Sequence, residues 1–195
     1  METSDAILKT KLSGKTLIMN GDEVDAVFFH KPEEPEGFLS NWYPAKFEID
    51  GFQFTSSEQY IMYKKCMIFG DKISAKKVLA TDDPAEQQKI GRNASGYISD
   101  IWAGCRQMVA YEGLMAKFSQ NKGLRVRLLG TNDAVLVECA GSDKVWACGL
   151  RLDDIRRYIA KEWTGTNILG FTLMAVRSCL REALEEELQP SLANG

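Results

Sequence analysis

The chain has 195 residues, of which 45% are hydrophobic and 26% charged, and its formal net charge is −3 at pH 7. This length and composition predict one globular domain and exclude a disordered or fibrous chain. The acidic balance argues against tight, phosphate-driven binding of duplex nucleic acid but permits a small anionic ligand held by a few cations. Neither a membrane span nor a signal pattern is present, so we expect a cytoplasmic protein, with the nucleus as an alternative.

Five cysteines and one histidine leave few groups for metal binding or nucleophilic catalysis. The cysteines are widely spaced without a Cys-x-x-Cys pair, which predicts reduced thiols that are mostly buried. A histidine-activated nucleophile would have to use His30, and no neighbouring residue supports such a pair. The sequence therefore predicts no metal site and no cofactor.

The first part of the chain has the pattern of strands and turns. Runs of β-formers and polar–apolar alternation predict strands at residues 24–30, 46–49 and 52–54. The first is followed by a loop with two prolines, and Asp50-Gly51 between the other two is typical of a tight hairpin turn.

Helices dominate the rest of the chain. Capping residues, prolines, glycines and apolar spacing predict helices at residues 55–69, 72–79, 84–91, 99–119, 121–129 and from 167 onward. The predicted buried face of the longest of these consists of Ile101, Cys105, Met108, Met115 and Phe118. That of the last helix consists of Leu169, Leu173, Val176, Leu180 and Leu184.

A buried strand is also predicted at residues 135–137, which completes an α+β fold that is mostly helical with one small sheet. We place the domain at residues 24–185. Residues 1–23 are then an N-terminal extension, and residues 186–195 are a C-terminal tail.

Glu58 and Lys65 are the first pair of candidate catalytic residues. They lie seven apart on a predicted helix, about two turns or ~10.5 Å, so both side chains can face one cleft. The alternative is structural: Thr55-Ser56-Ser57-Glu58 has the pattern of a capping box, and Lys65 is adjacent to Lys64 in a pair that suits the surface.

Glu138, Asp143 and Trp146 form a second cluster, in which a strand and a turn supply two carboxylates and an aromatic wall. The alternative is a solvated turn with a core tryptophan. At Gly165-Thr166-Asn167 a helix N-terminus could seat an anion, or Asn167 could be a plain cap.

Tryptophans stand near predicted element ends, where they can stack on a planar ring: Trp42, Trp102, Trp146 and Trp163. Arg92, at the end of its predicted helix, could contact a phosphate or could simply be solvated. From the residues alone, the ligand is a planar, anionic small molecule.

Ordered motifs extend this pattern over roughly residues 28–181. They are Gly37-Phe38-Leu39-Ser40-Asn41, Asp50-Gly51, Phe54-Thr55-Ser56-Ser57-Glu58-Gln59-Tyr60, Lys65, Gly91-Arg92, Trp102, Lys117-Phe118, Gln120-Asn121, Leu136-Val137-Glu138, Asp143, Trp146, Gly165-Thr166-Asn167-Ile168-Leu169-Gly170, Leu173-Met174 and Arg177. Together they resemble the NADAR family. The chain departs from the family pattern at Ala147, where glycine is usual, and at residues 150–162, which look like an extension.

The resemblance implies a compact NADAR-type domain, a hydrolase that cleaves N-glycosidic bonds between ribose and an exocyclic amine. It implies catalytic roles for Glu58, Lys65 and Asp143 and no metal. The residues expected to bind substrate are Phe29, Ser40, Asn41, Arg92, Trp102, Glu138, Trp146 and Asn167. The expected partners are ADP-ribose or a ribosyl phosphate, and ADP-ribosylated DNA or RNA held weakly. We expect a monomer that does not bind membranes.

Alternatives remain open for the mechanism and for the substrate. A neutral Lys65 can attack a ring-opened glycosylamine and form a Schiff base. In the other route a carboxylate activates water while a second group protonates the leaving amine. The acidic balance and the lack of a fused riboflavin-pathway domain favour ADP-ribosyl-guanine. The alternatives are a ribosylaminopyrimidine phosphate of riboflavin synthesis and a non-catalytic ADP-ribose-binding module.

Overall fold

In the computed structural model, which describes residues 16–192 and their side chains as far as residue 187, helices and short strands follow the predicted order. The elements are β1 (Thr16–Met19), β2 (Asp22–Phe29), β3 (Phe47–Ile49), β4 (Phe52–Phe54), α1 (Ser57–Ile68), α2 (Lys72–Leu79), α3 (Pro84–Arg92), α4 (Ser99–Gln120), α5 (Lys122–Leu129), β5 (Val135–Glu138) and α6 (Ile168–Leu192). The predicted α+β, mostly helical fold is confirmed.

The ends of the described chain belong to regular elements. β1 falls in the segment expected to be an N-terminal extension, where it pairs with β2, and α6 continues into the expected C-terminal tail. Residues 1–15 and 193–195 of those two predicted segments lie outside the described residues.

Two sheets are present in the described part of the chain, so the prediction of one sheet was wrong. β2 is central in the first sheet, antiparallel to β1 and parallel to β5. β3 and β4 form a separate hairpin whose Asp50 and Gly51 have φ of 53° and 77°, the left-handed values that a tight hairpin turn needs. The hairpin stays separate because Phe47 and Phe54 pack with Tyr60 of α1.

The start of α1 differs from the predicted capping box by one residue. Ser56 is the N-cap, and its hydroxyl accepts a 3.1 Å hydrogen bond from the Gln59 amide nitrogen. The Gln59 side-chain oxygen in turn accepts from the Thr55 amide nitrogen at 2.8 Å. Ser56 and Gln59 therefore cap the helix, and the Glu58 carboxyl is not used in capping.

Buried side-chain amides join α1 to α2 and α3. Gln59 Nε2 donates to the carbonyl oxygens of Val78 and Thr81 at 3.1 and 2.9 Å. Gln87 Nε2 donates to the same Thr81 oxygen at 2.7 Å, and the Ser56 hydroxyl donates to Gln87 Oε1. These bonds fix the orientation of α3 relative to the face of α1 that carries Glu58.

The buried face of α4 also differs from the prediction. Ile101 and Met108 are 50% and 69% exposed, whereas Trp102, Val109 and Leu114 are buried. The helix contacts α1 along one part of its length and α6 along another, so its buried face rotates along the axis. A single apolar stripe along the sequence therefore does not predict which residues of α4 are buried. On α6, which has one principal face against the core, the predicted leucines and valine are buried to residue 180.

Replacing Gly170 by alanine is expected to destabilise the fold by roughly 1–3 kcal/mol, because the added Cβ would overlap the Leu136 carbonyl oxygen. Gly104→Ala in α4 is the matched control, since an added Cβ there has no neighbour within 4 Å. That variant should be unchanged or more stable by up to ~1 kcal/mol. Urea unfolding measures both. A wild-type midpoint for Gly170→Ala would contradict the close approach of α6 to β5.

Candidate active site

A cavity of about 600 Å³ opens beside the C-terminal ends of β2 and β5, a size typical of small-molecule sites. The loop after β2, α1, α3 and the start of α4 complete its walls. The residues that line it are His30, Lys31, Pro32, Glu33, Ser40, Asn41, Trp42, Glu58, Met62, Lys65, Gln88, Arg92, Trp102, Glu138, Ala140, Ser142, Asp143, Trp146 and Leu169.

All three residues predicted to be catalytic line this cavity, as do six of the residues predicted to bind substrate: Ser40, Asn41, Arg92, Trp102, Glu138 and Trp146. Phe29 and Asn167, also predicted to bind substrate, do not line it. Phe29 is fully buried in the core next to Leu136 and the leucines of α6. Its side chain lies on the core face of β2, a placement that the sequence pattern did not reveal.

Asn167 has a structural role instead of the expected contact with ligand. Its Nδ2 donates to the Leu136 carbonyl oxygen at 2.9 Å, and its Oδ1 accepts from the Glu138 amide nitrogen at 3.0 Å. The fully buried amide thus joins the start of α6 to β5. Asn167 therefore supports the position of Glu138 from behind the cavity wall.

Glu58 is buried in the first turn of α1, where it forms part of the cavity wall together with Met62 and Lys65 of the same helix. Its amide nitrogen donates to the Asn41 carbonyl oxygen at 2.9 Å, which joins the helix to the loop after β2. Burial raises the pKa of the carboxyl to about 7; hydrogen bonding by Gln88 and the charge of Arg92 oppose the rise, and Asp143 adds to it. Glu58 can therefore hold or release a proton near neutral pH.

Lys65 lies on the same face of α1, two turns after Glu58, and its side chain is buried. Its ammonium is 4.3 Å from the centroid of the Tyr97 ring and 5.6 Å from that of Trp102. Burial lowers the pKa of Lys65, and the charge of Arg92 lowers it further. Lys64, by contrast, pairs with Glu112 and does not line the cavity. The adjacent lysines therefore do not form the surface pair considered from the sequence.

Asp143 and Trp146 enter the cavity from the turn after β5. Asp143 Oδ1 accepts hydrogen bonds from the amide nitrogens of Val145 and Trp146, both at 2.8 Å. The side chain is thus held by its own turn. Ala147, the departure from the family pattern, is buried, and neither it nor any residue of 150–162 lines the cavity.

Glu138 forms a pair with His30 that the sequence analysis missed. His30 Nδ1 is 2.7 Å from Glu138 Oε1, and both side chains line the cavity. Burial raises the pKa of Glu138 to about 7, partly opposed by His30, while the hydrogen bond raises the pKa of His30. Phe29 and Glu138 are partners in the parallel β2–β5 ladder, so His30 emerges beside Glu138. The pairing of β2 with β5 would have placed His30 beside Glu138, but no local sequence pattern indicates which strands pair.

Asn41 presents an unpartnered acceptor among the described side chains. Its Oδ1 is buried and receives no hydrogen bond, although the residue lines the cavity. A buried polar atom without a partner is destabilising, so this oxygen is suited to accept a hydrogen bond from a ligand. Trp42, one of the tryptophans expected to stack on a planar ligand, and Gln88, which the sequence analysis did not name, line the same cavity, whereas Trp163 does not.

The described residues contain no group of three or more His, Cys, Asp or Glu side chains suited to a metal ion. In the same part of the chain, no helix combines the length and apolarity needed to cross a membrane. The five cysteines are free thiols, and Cys66, Cys139 and Cys148 are buried.

Comparison with known proteins adds independent information. The family model of the NADAR domain matches residues 27–181. The chain is 33% identical to an N-glycosidase of Acanthamoeba polyphaga mimivirus, over 77% of this chain and 94% of that protein. It is 32% identical to a riboflavin biosynthesis protein of Vibrio vulnificus, over 80% of this chain and 39% of that longer protein. The solution NMR structure of E. coli YbiA superposes with a TM-score of 0.67 at 27% identity, covering 84% of this chain and 88% of that one.

The contribution of Glu58 to stability is expected to fall as the pH rises from about 4.5 to about 7. Over this interval the folded chain retains the Glu58 proton more strongly than the unfolded chain does. Glu58→Gln removes this contribution, so the variant should be more stable than wild type at pH 8 by on the order of 1–3 kcal/mol. Urea unfolding at pH 5 and pH 8 measures the difference. Equal stabilities at pH 8 would refute a raised pKa for Glu58.

Proposed function

The chain belongs to the NADAR family, and we propose that it is an N-glycosidase that removes ADP-ribose from the exocyclic amino group of guanine. The observation that carries the proposal is the burial of Glu58 and Lys65 on one wall of a cavity that Asp143 also lines. A module that only binds ADP-ribose does not need a desolvated acid and a desolvated amine in the same site. The N-glycosidases among its relatives support the same class of reaction.

The cavity supports ADP-ribosyl-guanine as the substrate because its lining suits two rings and two phosphates. Exposed cations from separate segments, Lys31 and Arg92, stand at its edge. Two half-buried tryptophans, Trp42 and Trp146, offer aromatic surfaces for the adenine and guanine rings, and the buried Trp102 also lines the cavity. A ribosylaminopyrimidine phosphate has one ring and one phosphate, and would use about half of these contacts. The similarity to a riboflavin biosynthesis protein keeps it as the second candidate.

In the proposed reaction Lys65 is the nucleophile. Protonation of the ribose ring oxygen opens the glycosylamine to an imine, and the neutral amine of Lys65 adds to the anomeric carbon. The leaving nitrogen then takes a proton, its bond to the anomeric carbon breaks, and guanine departs with its amino group. Water hydrolyses the remaining Schiff base, which releases ADP-ribose and restores the lysine. The lowered pKa of Lys65 favours the neutral amine that this route requires.

Glu58 supplies and removes protons in this sequence of steps. Its pKa of about 7 suits a group that donates a proton to the ring oxygen and later receives one. Asp143, fixed by its own turn, contributes a carboxylate beside the positive charge that develops at the anomeric carbon. In the alternative of direct displacement, these carboxyls activate water and protonate the leaving amine, and Lys65 is only an electrostatic aid.

The substrate is tested by incubating equal amounts of protein with DNA that carries ADP-ribosylated guanine and with the ribosylaminopyrimidine phosphate. Mass spectrometry of the released sugar measures turnover on each. We expect ADP-ribose to be released faster than the sugar of the pyrimidine phosphate, because its two phosphates can contact both Lys31 and Arg92. Faster turnover of the pyrimidine phosphate would select the second candidate, and binding of ADP-ribose without turnover of either would select the binding module.

Borohydride reduction during turnover is expected to fix the sugar product covalently to Lys65, because reduction converts the Schiff base into a stable secondary amine. Peptide mass spectrometry locates the adduct. Lys65→Arg keeps the positive charge but lacks the nucleophilic amine. Turnover should therefore fall by at least ~100-fold, as is usual when a nucleophile is removed.

Lys64→Arg is the matched control, since Lys64 is the adjacent residue and does not line the cavity. It should retain both turnover and the adduct at Lys65. Substantial activity of Lys65→Arg together with no adduct in the wild type would leave direct displacement as the route.

A further inference from the structure

Lys117 is a buried cation on α4 that the proposed reaction does not use. Its side chain is fully buried, and within the described chain no carboxylate lies within 4.0 Å of its ammonium. Burial lowers its pKa to about 7. An ammonium group removed from water without a counter-ion is destabilising. Its presence therefore indicates a role beyond filling the core.

The ammonium holds the loop that follows β2. Lys117 Nζ donates hydrogen bonds to the carbonyl oxygens of Phe38 and Ser40 at 2.8 and 3.0 Å, across more than 75 residues of sequence. The rings of Tyr43 and Phe118 lie 5.5 and 5.1 Å from Nζ. These two bonds use two hydrogens of the Lys117 side chain, and a neutral amine also carries two hydrogens. The contact is therefore available in either protonation state.

The same loop forms a wall of the active site. Ser40, whose carbonyl oxygen Lys117 binds, lines the cavity together with the next two residues, Asn41 and Trp42. The Asn41 carbonyl oxygen accepts the hydrogen bond from the Glu58 amide nitrogen, and Asn41 Oδ1 is the buried acceptor without a partner. One short segment therefore connects Lys117 to the catalytic helix and to a ligand-facing acceptor.

We propose that Lys117 is a positioning residue for the active site, whose ammonium fixes residues 38–42 so that Asn41 and Trp42 face the substrate. It acts through the loop and does not line the cavity. The identity of the ligand rests on the proposed function, but the contact between Lys117 and the loop does not.

The first experiment needs no ligand. Lys117→Met preserves the apolar stem and removes both donors, so native-state hydrogen exchange should become at least tenfold faster in residues 37–42 and at the Glu58 amide. Lys122→Met, which alters an exposed lysine of α5, is the control and should leave these amides unchanged. Unchanged exchange in residues 37–42 of Lys117→Met would overturn the proposal, as would a uniform acceleration across the whole protein.

The second experiment is a double-mutant cycle read by titration with ADP-ribose. Lys117→Met should weaken binding at least tenfold, and adding Asn41→Ala should weaken it little further, because the loop is already displaced. Combined with Arg92→Ala on α3, by contrast, the two losses should multiply. An unchanged dissociation constant for Lys117→Met would refute the proposal, as would full multiplication of its loss with that of Asn41→Ala.

Lys117→Gln provides the second variant if Lys117→Met does not fold. Its shorter side chain keeps two donor hydrogens but reaches less far, so the same acceleration of exchange and the same coupling to Asn41 are expected. Wild-type exchange and affinity in Lys117→Gln would overturn the proposal. If wild-type protein does not bind ADP-ribose, the proposed substrate fails, and hydrogen exchange in residues 37–42 still decides the role of Lys117.

Discussion

The removal of water from ionisable side chains is the constraint on which the active site depends. Glu58, Lys65 and Glu138 are each at most 6% exposed, although all three line a cavity. Burial raises the pKa of both glutamates to about 7 and lowers that of Lys65. Desolvation thus moves the pKa values of the acids and of the amine from opposite ends of the pH scale toward neutrality, where such groups can take up and release protons.

Three buried side-chain amides hold together the helices and strands that form the cavity walls. Gln59 and Gln87 join α1 to α2 and α3, and Asn167 joins α6 to β5. Each amide satisfies backbone groups that would otherwise be buried without a partner. The Lys117 ammonium serves the loop after β2 in the same way. Preorganisation of this kind keeps the ionisable side chains of the cavity in place.

The two departures from the NADAR pattern that the sequence analysis identified lie outside the cavity lining. Ala147 is buried behind it, and residues 150–162 contact the β1 edge of the sheet through the bridge between Ile18 and Ile159. The rim next to β2 is instead built by His30, Lys31 and Glu33, on a loop with two prolines. Because this rim is polar and partly exposed, it is the place where a change of sequence would alter substrate preference without disturbing the core.

The sequence by itself predicted the helices and the hairpin, because caps, turns and helical spacing act over a few residues. It also assigned nine of the nineteen residues that line the cavity to catalysis or substrate binding. It could not determine which side of α4 is buried, since that depends on contacts with both α1 and α6. Nor could it pair His30 with Glu138, 108 residues apart, or show that the cap of α1 is Ser56, whose hydroxyl also donates to Gln87 of α3. Only the tertiary structure decided these points. Parallel strand pairing and desolvation arise when distant segments pack together, and no local pattern records them.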